Sequence, residues 1–459
     1  MYRQVFLISM CVLLCGCGSS SSSSDSPREG AFQFVNAISD APPLDIEISE
    51  GDDVIQTINA LDFGQASSQS VLSQDNYTFS VSYEDPEGGP DISLLNNIDF
   101  DVLRNLLDVI VLRGTTQLPD VVTLEKDIDP AFSDDDEQIE VSVLNTAANS
   151  VEVYLTEADS NPSSADLLAT IAPGNSQAPT LIDIPDSNEF KIVVIDEASS
   201  ATTFDSGSFT LNSESLNTII VGPAVGPDPD TNSGFLASTT GALSFSNEAA
   251  RAAVRVLNAV ADQPSLATIV SLPALGETVS NSDVAFTQVT DFMLLEPGFI
   301  AAQTTNPLTG ESVSSTISLN EDAFYTVVLG GSAFNDDLNI RAADATFRAI
   351  QSAASIQFIN GLDETDVEEF DRVDLYALPI GESLADLPPL FGQVPFLEDA
   401  SGTLAATTYD FVVTTAGTQS ILAGPTRITV TPKTALLLVA TEGFGGGLPN
   451  QIILQSTPL

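Results

Sequence analysis

Hydrophobic and polar residues alternate in short runs along most of the chain, with an apolar residue at every second position. This period of two is typical of β-strands with one buried face, because successive side chains point to opposite sides of a strand. The clearest runs each end on an asparagine and recur four times: Phe32-Gln33-Phe34-Val35-Asn36, Val141-Ser142-Val143-Leu144-Asn145, Val254-Arg255-Val256-Leu257-Asn258 and Ile356-Gln357-Phe358-Ile359-Asn360. Each run predicts a half-buried strand, and the runs lie about 100 residues apart, the length of one small domain.

A second feature repeats with the same spacing. Nearly continuous apolar runs precede a glycine three times: Val109-Ile110-Val111-Leu112 before Gly114, Ile219-Ile220-Val221 before Gly222, and Val327-Val328-Leu329 before Gly330. Leu436-Leu437-Leu438-Val439-Ala440 matches them without the glycine. Two independent features at one spacing predict four tandem repeats.

The repeated asparagines and glycines are predicted to be structural. Asn at a strand end stabilises a turn through bonds to nearby backbone, and Gly adopts the left-handed conformation that many turns need. The alternative is that the four Asn side chains line a repeated ligand site.

The repeats predict an all-β fold. Short β-branched and aromatic runs separated by Pro, Gly, Asn, Asp and Ser are typical of β-sandwiches. We therefore predict a tandem array of four immunoglobulin-like antiparallel β-sandwich modules behind a lipoprotein signal peptide. The predicted boundaries are 1–16 for the signal peptide, 17–29 for a Ser-rich tether, and 30–134, 137–247, 251–348 and 353–459 for modules 1 to 4.

The N-terminus has the features of an export signal. Arg3 precedes an apolar run from Val5 to Leu14, which is too short to cross a bilayer. The run ends in Leu14-Cys15-Gly16-Cys17, which resembles the bacterial lipobox and implies that Cys17 becomes the acylated N-terminus. The residue after Cys17 is Gly rather than Asp, which favours the outer membrane. The alternative is an ordinary secretory signal with incidental cysteines.

The amino-acid composition excludes several classes of function. Asp and Glu number 64 against 13 Lys and Arg, for a formal charge of −51, and such a surface repels nucleic acid. The chain has no His, and its three Cys all precede residue 18. Imidazole catalysis, His/Cys metal sites and disulfides within the modules are therefore excluded, and we expect neither enzymatic activity nor a cofactor.

Ca²⁺ is the one metal ion that the composition favours, because it prefers carboxylate and amide oxygens. Asp228-Pro229-Asp230-Thr231-Asn232 places such donors at alternate positions, as the start of an EF-hand loop does. It is not an EF-hand, because Gly234 comes one residue late and the twelfth position is Thr239 instead of Glu, which leaves a looser Ca²⁺ loop as the prediction. The acids Asp134, Asp135 and Asp136 lie between modules 1 and 2 and form a second candidate site. The alternative for both is a solvated acidic loop.

The opening of module 1 resembles a known family. Phe34-Val35-Asn36-Ala37 followed by Asp40-Ala41-Pro42 and an alternating strand is similar to the bacterial domain-of-unknown-function family 4397. Val256-Leu257-Asn258-Ala259 with Asp262 and Pro264 follows the same pattern, whereas modules 2 and 4 match only through their strands. The resemblance implies secreted or lipid-anchored β-modules on bacterial envelopes and supplies no catalytic residues.

These observations predict a non-enzymatic, lipid-anchored protein of the outer membrane, with its four modules arranged as a rod or string. It would serve as a structural or interaction array, with the membrane as partner through the lipid on Cys17 and an unidentified envelope protein or glycan as a further partner. The alternative is a Ca²⁺-dependent adhesin or glycan-binding surface protein.

Overall fold

The computed structural model describes residues 29–459 except 87, 129, 131, 133–136, 186, 240, 275 and 363–371. The all-β prediction is confirmed, because every regular element in the described ranges is a strand. Module 1 contains β1 (Glu29–Ile38), β2 (Leu44–Glu50), β3 (Asp53–Leu61), β4 (Ser70–Ser73), β5 (Asn76–Tyr83), β6 (Ile92–Asp101), β7 (Leu106–Thr115) and β8 (Leu118–Asp127). Module 2 contains β9 (Gln138–Asn145), β10 (Val151–Glu157), β11 (Leu167–Ile171), β12 (Ser176–Asp183), β13 (Glu189–Asp196), β14 (Thr202–Asp205), β15 (Phe209–Thr210), β16 (Leu216–Pro223), β17 (Asn232–Ser238) and β18 (Gly241–Ser244).

Modules 3 and 4 repeat the eight-strand order of module 1. Module 3 contains β19 (Ala252–Asn258), β20 (Ser265–Leu272), β21 (Glu277–Ala285), β22 (Met293–Leu295), β23 (Gly298–Thr305), β24 (Ser312–Leu319), β25 (Phe324–Gly330) and β26 (Asn339–Ala345). Module 4 contains β27 (Ala353–Gly361), β28 (Arg372–Pro379), β29 (Phe391–Pro395), β30 (Asp399–Ala405), β31 (Thr408–Thr415), β32 (Ile421–Thr429), β33 (Thr434–Thr441) and β34 (Gln451–Pro458).

Each module is a sandwich of two sheets. In module 1 the first sheet has the order β4-β1-β7-β8 and the second has the order β3-β2-β5-β6, and the other modules follow the same plan. The first strand pairs parallel with the seventh strand in modules 1, 3 and 4 and with the eighth strand, β16, in module 2, and in module 1 this places Asn36 opposite Leu112. The sequence predicted antiparallel sandwiches, and this one pair of strands in each module departs from that prediction. It is parallel because the chain crosses to the second sheet and returns beside its own start. The space between the two sheets holds each module's core.

The first sheets of neighbouring modules pack against each other, which forms two pairs of modules. One apolar cluster joins Val35 and Val109 of module 1 to Leu144 and Ile220 of module 2. An equivalent cluster joins modules 3 and 4. The first strands are consequently buried on both faces, so the prediction that they are half-buried was wrong. The polar residues of the four runs are also buried, and they are Gln33, Ser142, Arg255 and Gln357.

The two pairs stack end to end. The loop after β1 receives Arg348, whose guanidinium Nη1 donates to the carbonyl oxygens of Ser39 at 3.0 Å and Ala41 at 2.8 Å. Lys433 Nζ lies 2.6 Å from the Asp40 carboxylate. We call the end of modules 1 and 2 that carries the loop after β1 the top of that pair. The surface of modules 3 and 4 that carries Arg348 and Lys433 is the base of theirs. The molecule is therefore two modules long and two wide, not the rod or string of four that the sequence suggested.

The repeated asparagine joins the first strand to the loop between the third and fourth strands. Asn258 is fully buried, its Nδ2 donates to Val284 O at 2.9 Å, and its Oδ1 accepts from the Val260 amide at 2.9 Å. Its backbone exchanges bonds with Thr287 and Gln288. Asn36, Asn145 and Asn360 make the same side-chain bonds, in which Nδ2 donates to Leu61, Ile171 and Val394 and Oδ1 accepts from Ile38, Ala147 and Leu362. Each of the four side chains thus completes a turn with its own backbone.

The repeated glycines differ from the prediction. Gly222 and Gly330 lie inside β16 and β25 without a positive φ, so they are not turn residues. Each lacks room for a Cβ, because Ser233 and Leu397 respectively occupy that space. Gly114 has φ +88°. It lies two residues after the residue paired with the repeated Asn, and the residue at that position in module 3 is Gly331, with φ +86°, and not Gly330. Equal spacing along the sequence had therefore aligned glycines of two different kinds.

Candidate functional site

A cleft on the described surface lies between modules 3 and 4, at the end away from modules 1 and 2. It encloses about 490 Å³, within the range of ligand sites. We call it the open cleft and define it by Asp262, Gln263, Leu308, Phe334, Glu442 and Gly445, which line it. The loop after β19, the hairpin tips of module 3 and the loop after β33 supply these residues.

Hydrogen bonds hold the apolar rim in place. The Asp262 carboxylate accepts from the backbone amides of Ala333 at 3.2 Å and Phe334 at 2.9 Å, which fixes the turn after β25. Buried Asn306 donates to Ala333 O at 2.8 Å and accepts from the Leu308 amide at 2.9 Å, which joins the two hairpin tips. The Phe334 side chain is 80 % exposed and that of Leu308 is 60 % exposed. The rim thus presents apolar surface on a backbone that is held firmly.

A glycine-rich loop closes the opposite side. Gly445, Gly446 and Gly447 all have positive φ, a conformation that costs a Cβ-bearing residue energy. Gly445 N donates to Ala261 O at 2.7 Å, which ties module 4 to module 3. Glu442 Oε2 accepts from Gly447 N at 2.8 Å and positions that carboxylate at the cleft.

The polar groups of the open cleft favour a ligand that donates hydrogen bonds. Among the described residues no Lys or Arg lines it, whereas Asp262 and Glu442 do. Gln263, which is 8 % exposed, also lines the cleft. These three side chains are candidate ligand contacts.

The structure corrects the calcium site predicted at residues 228–232. Asp228 is buried, and its carboxylate is bound by Arg251, with Nε at 2.7 Å and Nη2 at 2.9 Å. The hydrogen bonds from Arg251 hold the pKa of Asp228 below its usual value. Asp230 lies 3.4 Å from the same guanidinium, and Asn232 Nδ2 donates to Gly222 O. A guanidinium thus holds the position where the cation was expected.

The other predicted site residues lie outside the described residues. They are Cys17, Asp134, Asp135 and Asp136. Within the described ranges, no three His, Cys, Asp or Glu side chains come close enough to share a metal ion. Nor does that part of the chain form a helix with the length and apolarity of a membrane span.

The open cleft is not apparent in the sequence. Its residues come from four loops in two modules, which sequence periodicity does not connect. Two local signals were available. The first was the run Gly443-Phe444-Gly445-Gly446-Gly447, and the second was the Asp that follows the repeated Asn by four positions.

Comparison with known families supports one of the predictions. Residues 252–367 match the family described as a domain of unknown function, DUF4397. This match confirms the predicted resemblance for module 3, and it extends past β27 into module 4. No curated protein sequence matches the chain.

Solved structures give distant similarities only. The Bacillus anthracis TIE protein aligns with 91 % of this chain and 75 % of its own, at 8 % identity and a TM-score of 0.17. Proposed cell adhesion proteins from Bacteroides uniformis and Bacteroides eggerthii align at 11 % identity, with TM-scores of 0.20 and 0.21. They cover 47 % and 46 % of this chain and 98 % and 96 % of their own. Scores this low establish neither a shared fold nor a shared function.

Proposed function

We propose that the protein is a non-enzymatic, lipid-anchored interaction protein of the bacterial outer membrane that presents the open cleft to a partner. The observation that carries this proposal is the direction of the chain through the two stacked pairs. Glu29 begins β1 at one end of the molecule, and β27 ends at Gly361 beside the open cleft at the other. At about 3.3 Å per residue, the two strands place the cleft on the order of 60 Å from Glu29.

This geometry suits an anchored protein that holds a binding surface away from a membrane. Residues 17–28 would connect Glu29 to the lipid on Cys17, and the run Ser19 to Ser24 would act as a flexible tether. The stacked pairs would hold the cleft at the far end. Calcium-dependent adhesion has no support from the described residues, because Arg251 already binds Asp228.

Replacement of Cys17 tests the anchor. We expect Cys17→Ser to give an uncleaved precursor that takes up no labelled palmitate and leaves the membrane fraction. Cys15→Ser is the matched control and should retain the label, since a small residue suits that position of the lipobox. Palmitate labelling of Cys17→Ser at the wild-type level would contradict the proposal.

Presentation of the cleft is tested separately, with the soluble mature chain carrying Cys17→Ser. It should bind isolated bacterial envelopes saturably, and Phe334→Ser should weaken that binding. Leu118, which is 80 % exposed at the corresponding hairpin of module 1, supplies the control Leu118→Ser. Envelope binding that is equal for both variants would contradict a role for the cleft.

A further inference from the structure

The open cleft has a counterpart within the same molecule. Counted from the repeated asparagines, Ser39 and Asp40 of module 1 correspond to Ala261 and Asp262 of module 3. The repeated asparagines of modules 2 and 4 pair with Val221 and Ala440 respectively. Gly226 and Gly445 each lie five residues after these paired positions, so they correspond to each other. The top of modules 1 and 2 is thus built like the top of modules 3 and 4.

The counterpart surface is occupied, so it shows what chemistry such a surface binds. Arg348 donates to the carbonyl oxygens of Ser39 and Ala41, and its guanidinium stacks 5.2 Å from the centroid of the Phe63 ring. Lys433 binds the Asp40 carboxylate. Phe324 and Phe347, whose rings lie 5.0 Å apart, line the same contact. Arg348 beside an aromatic ring and Lys433 on a carboxylate therefore occupy the module 1 side of this surface.

The open cleft keeps one of these acceptors, the Asp262 carboxylate, with no Lys or Arg among its described lining residues. By contrast, Ala261 O, the counterpart of Ser39 O, already accepts from Gly445 N. Asp262 and Glu442 supply carboxylates, and exposed Phe334 supplies an aromatic face. A cation between carboxylates and an aromatic face is stabilised by both. The net charge of −51 adds a long-range attraction for a basic partner.

A second copy of the chain is a poor occupant. Glu214 takes the place of Lys433 at the base of modules 1 and 2. The backbone amide of Glu214 donates to Gln138 O, just as the backbone amide of Lys433 donates to Ala353 O. Both residues also have φ near +56°. A second copy stacked on the cleft would therefore bring Glu214 towards Asp262, where like charges repel. This charge reversal disfavours a third pair stacked on the cleft.

We propose that the open cleft docks a partner protein through an arginine or lysine side chain flanked by an aromatic ring, as modules 3 and 4 dock on modules 1 and 2. The inference rests on the proposed function and names the chemistry of the partner.

The chain's own docking segment is the probe. A fluorescein-labelled peptide of residues 345–352, Ala-Thr-Phe-Arg-Ala-Ile-Gln-Ser, is titrated into the soluble mature chain carrying Cys17→Ser and followed by anisotropy. We expect saturable binding that weakens as salt is raised and is at least tenfold tighter than that of the peptide with Arg348→Glu. Equal affinity of the two peptides, or no saturable binding at millimolar concentration, would overturn the proposal.

Variants locate the site. Glu442→Lys and Asp262→Asn should each weaken binding at least tenfold, and the second keeps an acceptor oxygen for the turn after β25. Glu382→Lys makes the same charge change at an exposed turn of module 4 and should alter affinity less than twofold. Equal losses in Glu442→Lys and Glu382→Lys would show general attraction to an acidic surface and overturn the assignment.

A glycan ligand would give a different result. If chitohexaose binds at the cleft and the arginine peptide does not, the cleft is a carbohydrate site and the inference is wrong. The envelope-binding assay distinguishes failure of this inference from failure of the proposed function. Envelope binding that Phe334→Ser weakens would leave the proposed function standing without this partner chemistry.

Discussion

Among single residues, the repeated asparagine has the most constrained role. Asn has both a donor and an acceptor on one short side chain, and the structure uses both inside a fully buried site. Ala offers neither group, and Asp offers a donor only when protonated. The position therefore depends on the amide itself and not on size or polarity alone.

The first prediction concerns this amide. Asn258→Ala should lower the free energy of unfolding by about 2–4 kcal/mol, because it leaves the Val284 carbonyl and the Val260 amide buried without partners. Urea denaturation measures the loss. Exposed Asn335→Ala on the same module is the control and should change stability by less than about 0.5 kcal/mol.

Asn258→Asp adds a pH dependence to the same test. A buried carboxylate has a raised folded-state pKa, so its deficit should be small below the unfolded pKa of about 4 and grow as pH rises. Comparison with the wild type at each pH isolates the effect. A deficit that is constant from pH 4 to pH 7 would contradict the bonding described for this side chain.

Sequence patterns predicted the asparagine turns better than the glycines. The turn at Asn is local, since its acceptor binds an amide two residues ahead. The need for Gly330 arises from Leu397 of another module, which local sequence does not reveal. The sequence does not distinguish a glycine that is needed because a Cβ would have no room from one that is needed because its φ is positive.

At the scale of elements, the first strand of each module joins two cores. Its alternating pattern predicts one buried face correctly. The other face carries the polar residues, and the neighbouring module buries it as well. Gln33, for example, donates to Ser67 O of its own module and to Ser238 O of module 2, both at 2.8 Å. A polar residue that is hydrogen-bonded across an interface has the same sequence pattern as one that faces water.

The interface of modules 1 and 2 contains a buried ion pair that gives the second prediction. Lys126 Nζ lies 3.9 Å from Glu140 Oε1, and Lys126 also donates to Asn217 O. Burial lowers the pKa of Lys126 to about 8 and raises that of Glu140. Removing the lysine alone would therefore leave a carboxylate buried without its cation.

Lys126→Met should lower the free energy of unfolding by about 3 kcal/mol at pH 7.5. The loss should shrink towards pH 5, because the folded-state pKa of Glu140 is raised and its protonation removes the buried charge. Chemical denaturation at both pH values measures this difference. The double change Lys126→Met, Glu140→Gln is the control and should recover much of the loss at pH 7.5. An equal loss in the single and double variants would show that packing, not charge, dominates.

At the scale of the whole molecule, the arrangement of the modules was not predictable from one sequence. Four repeats indicate four modules but say nothing about which surfaces meet. That outcome depends on residues far apart in the chain, such as Asp40 with Lys433 and Gly226 with Asp322. The open cleft depends on the same arrangement, so the sequence could suggest an interaction protein without locating its site.

The contact between modules 2 and 3 contains a group that links this arrangement to pH. Asp322 packs against Gly226, which has no room for a Cβ beside that carboxylate. Burial, and then the nearby charges of Asp228 and Glu321, raise the pKa of Asp322 to about 6. Burial also raises the pKa of Asp108 to about 6, within module 1. Both carboxyls take up protons more readily in the folded protein than in the unfolded chain.

The last prediction follows from the sign of these shifts. The folded state binds more protons than the unfolded state between about pH 4 and pH 6, so stability should fall as pH rises through that window. Asp322→Asn keeps the shape and removes one of the two charges. It should raise the free energy of unfolding at pH 7 by about 1 kcal/mol, a value discounted for partial exposure, and flatten part of the pH dependence. Thermal unfolding from pH 4.5 to 7.5 measures both effects, with exposed Asp52→Asn as the control. Because Asp108 remains, a residual slope is expected in the variant. If Asp322→Asn matches Asp52→Asn at every pH, then Asp322 does not oppose the stacking of the two pairs at neutral pH, and their contact is insensitive to this charge.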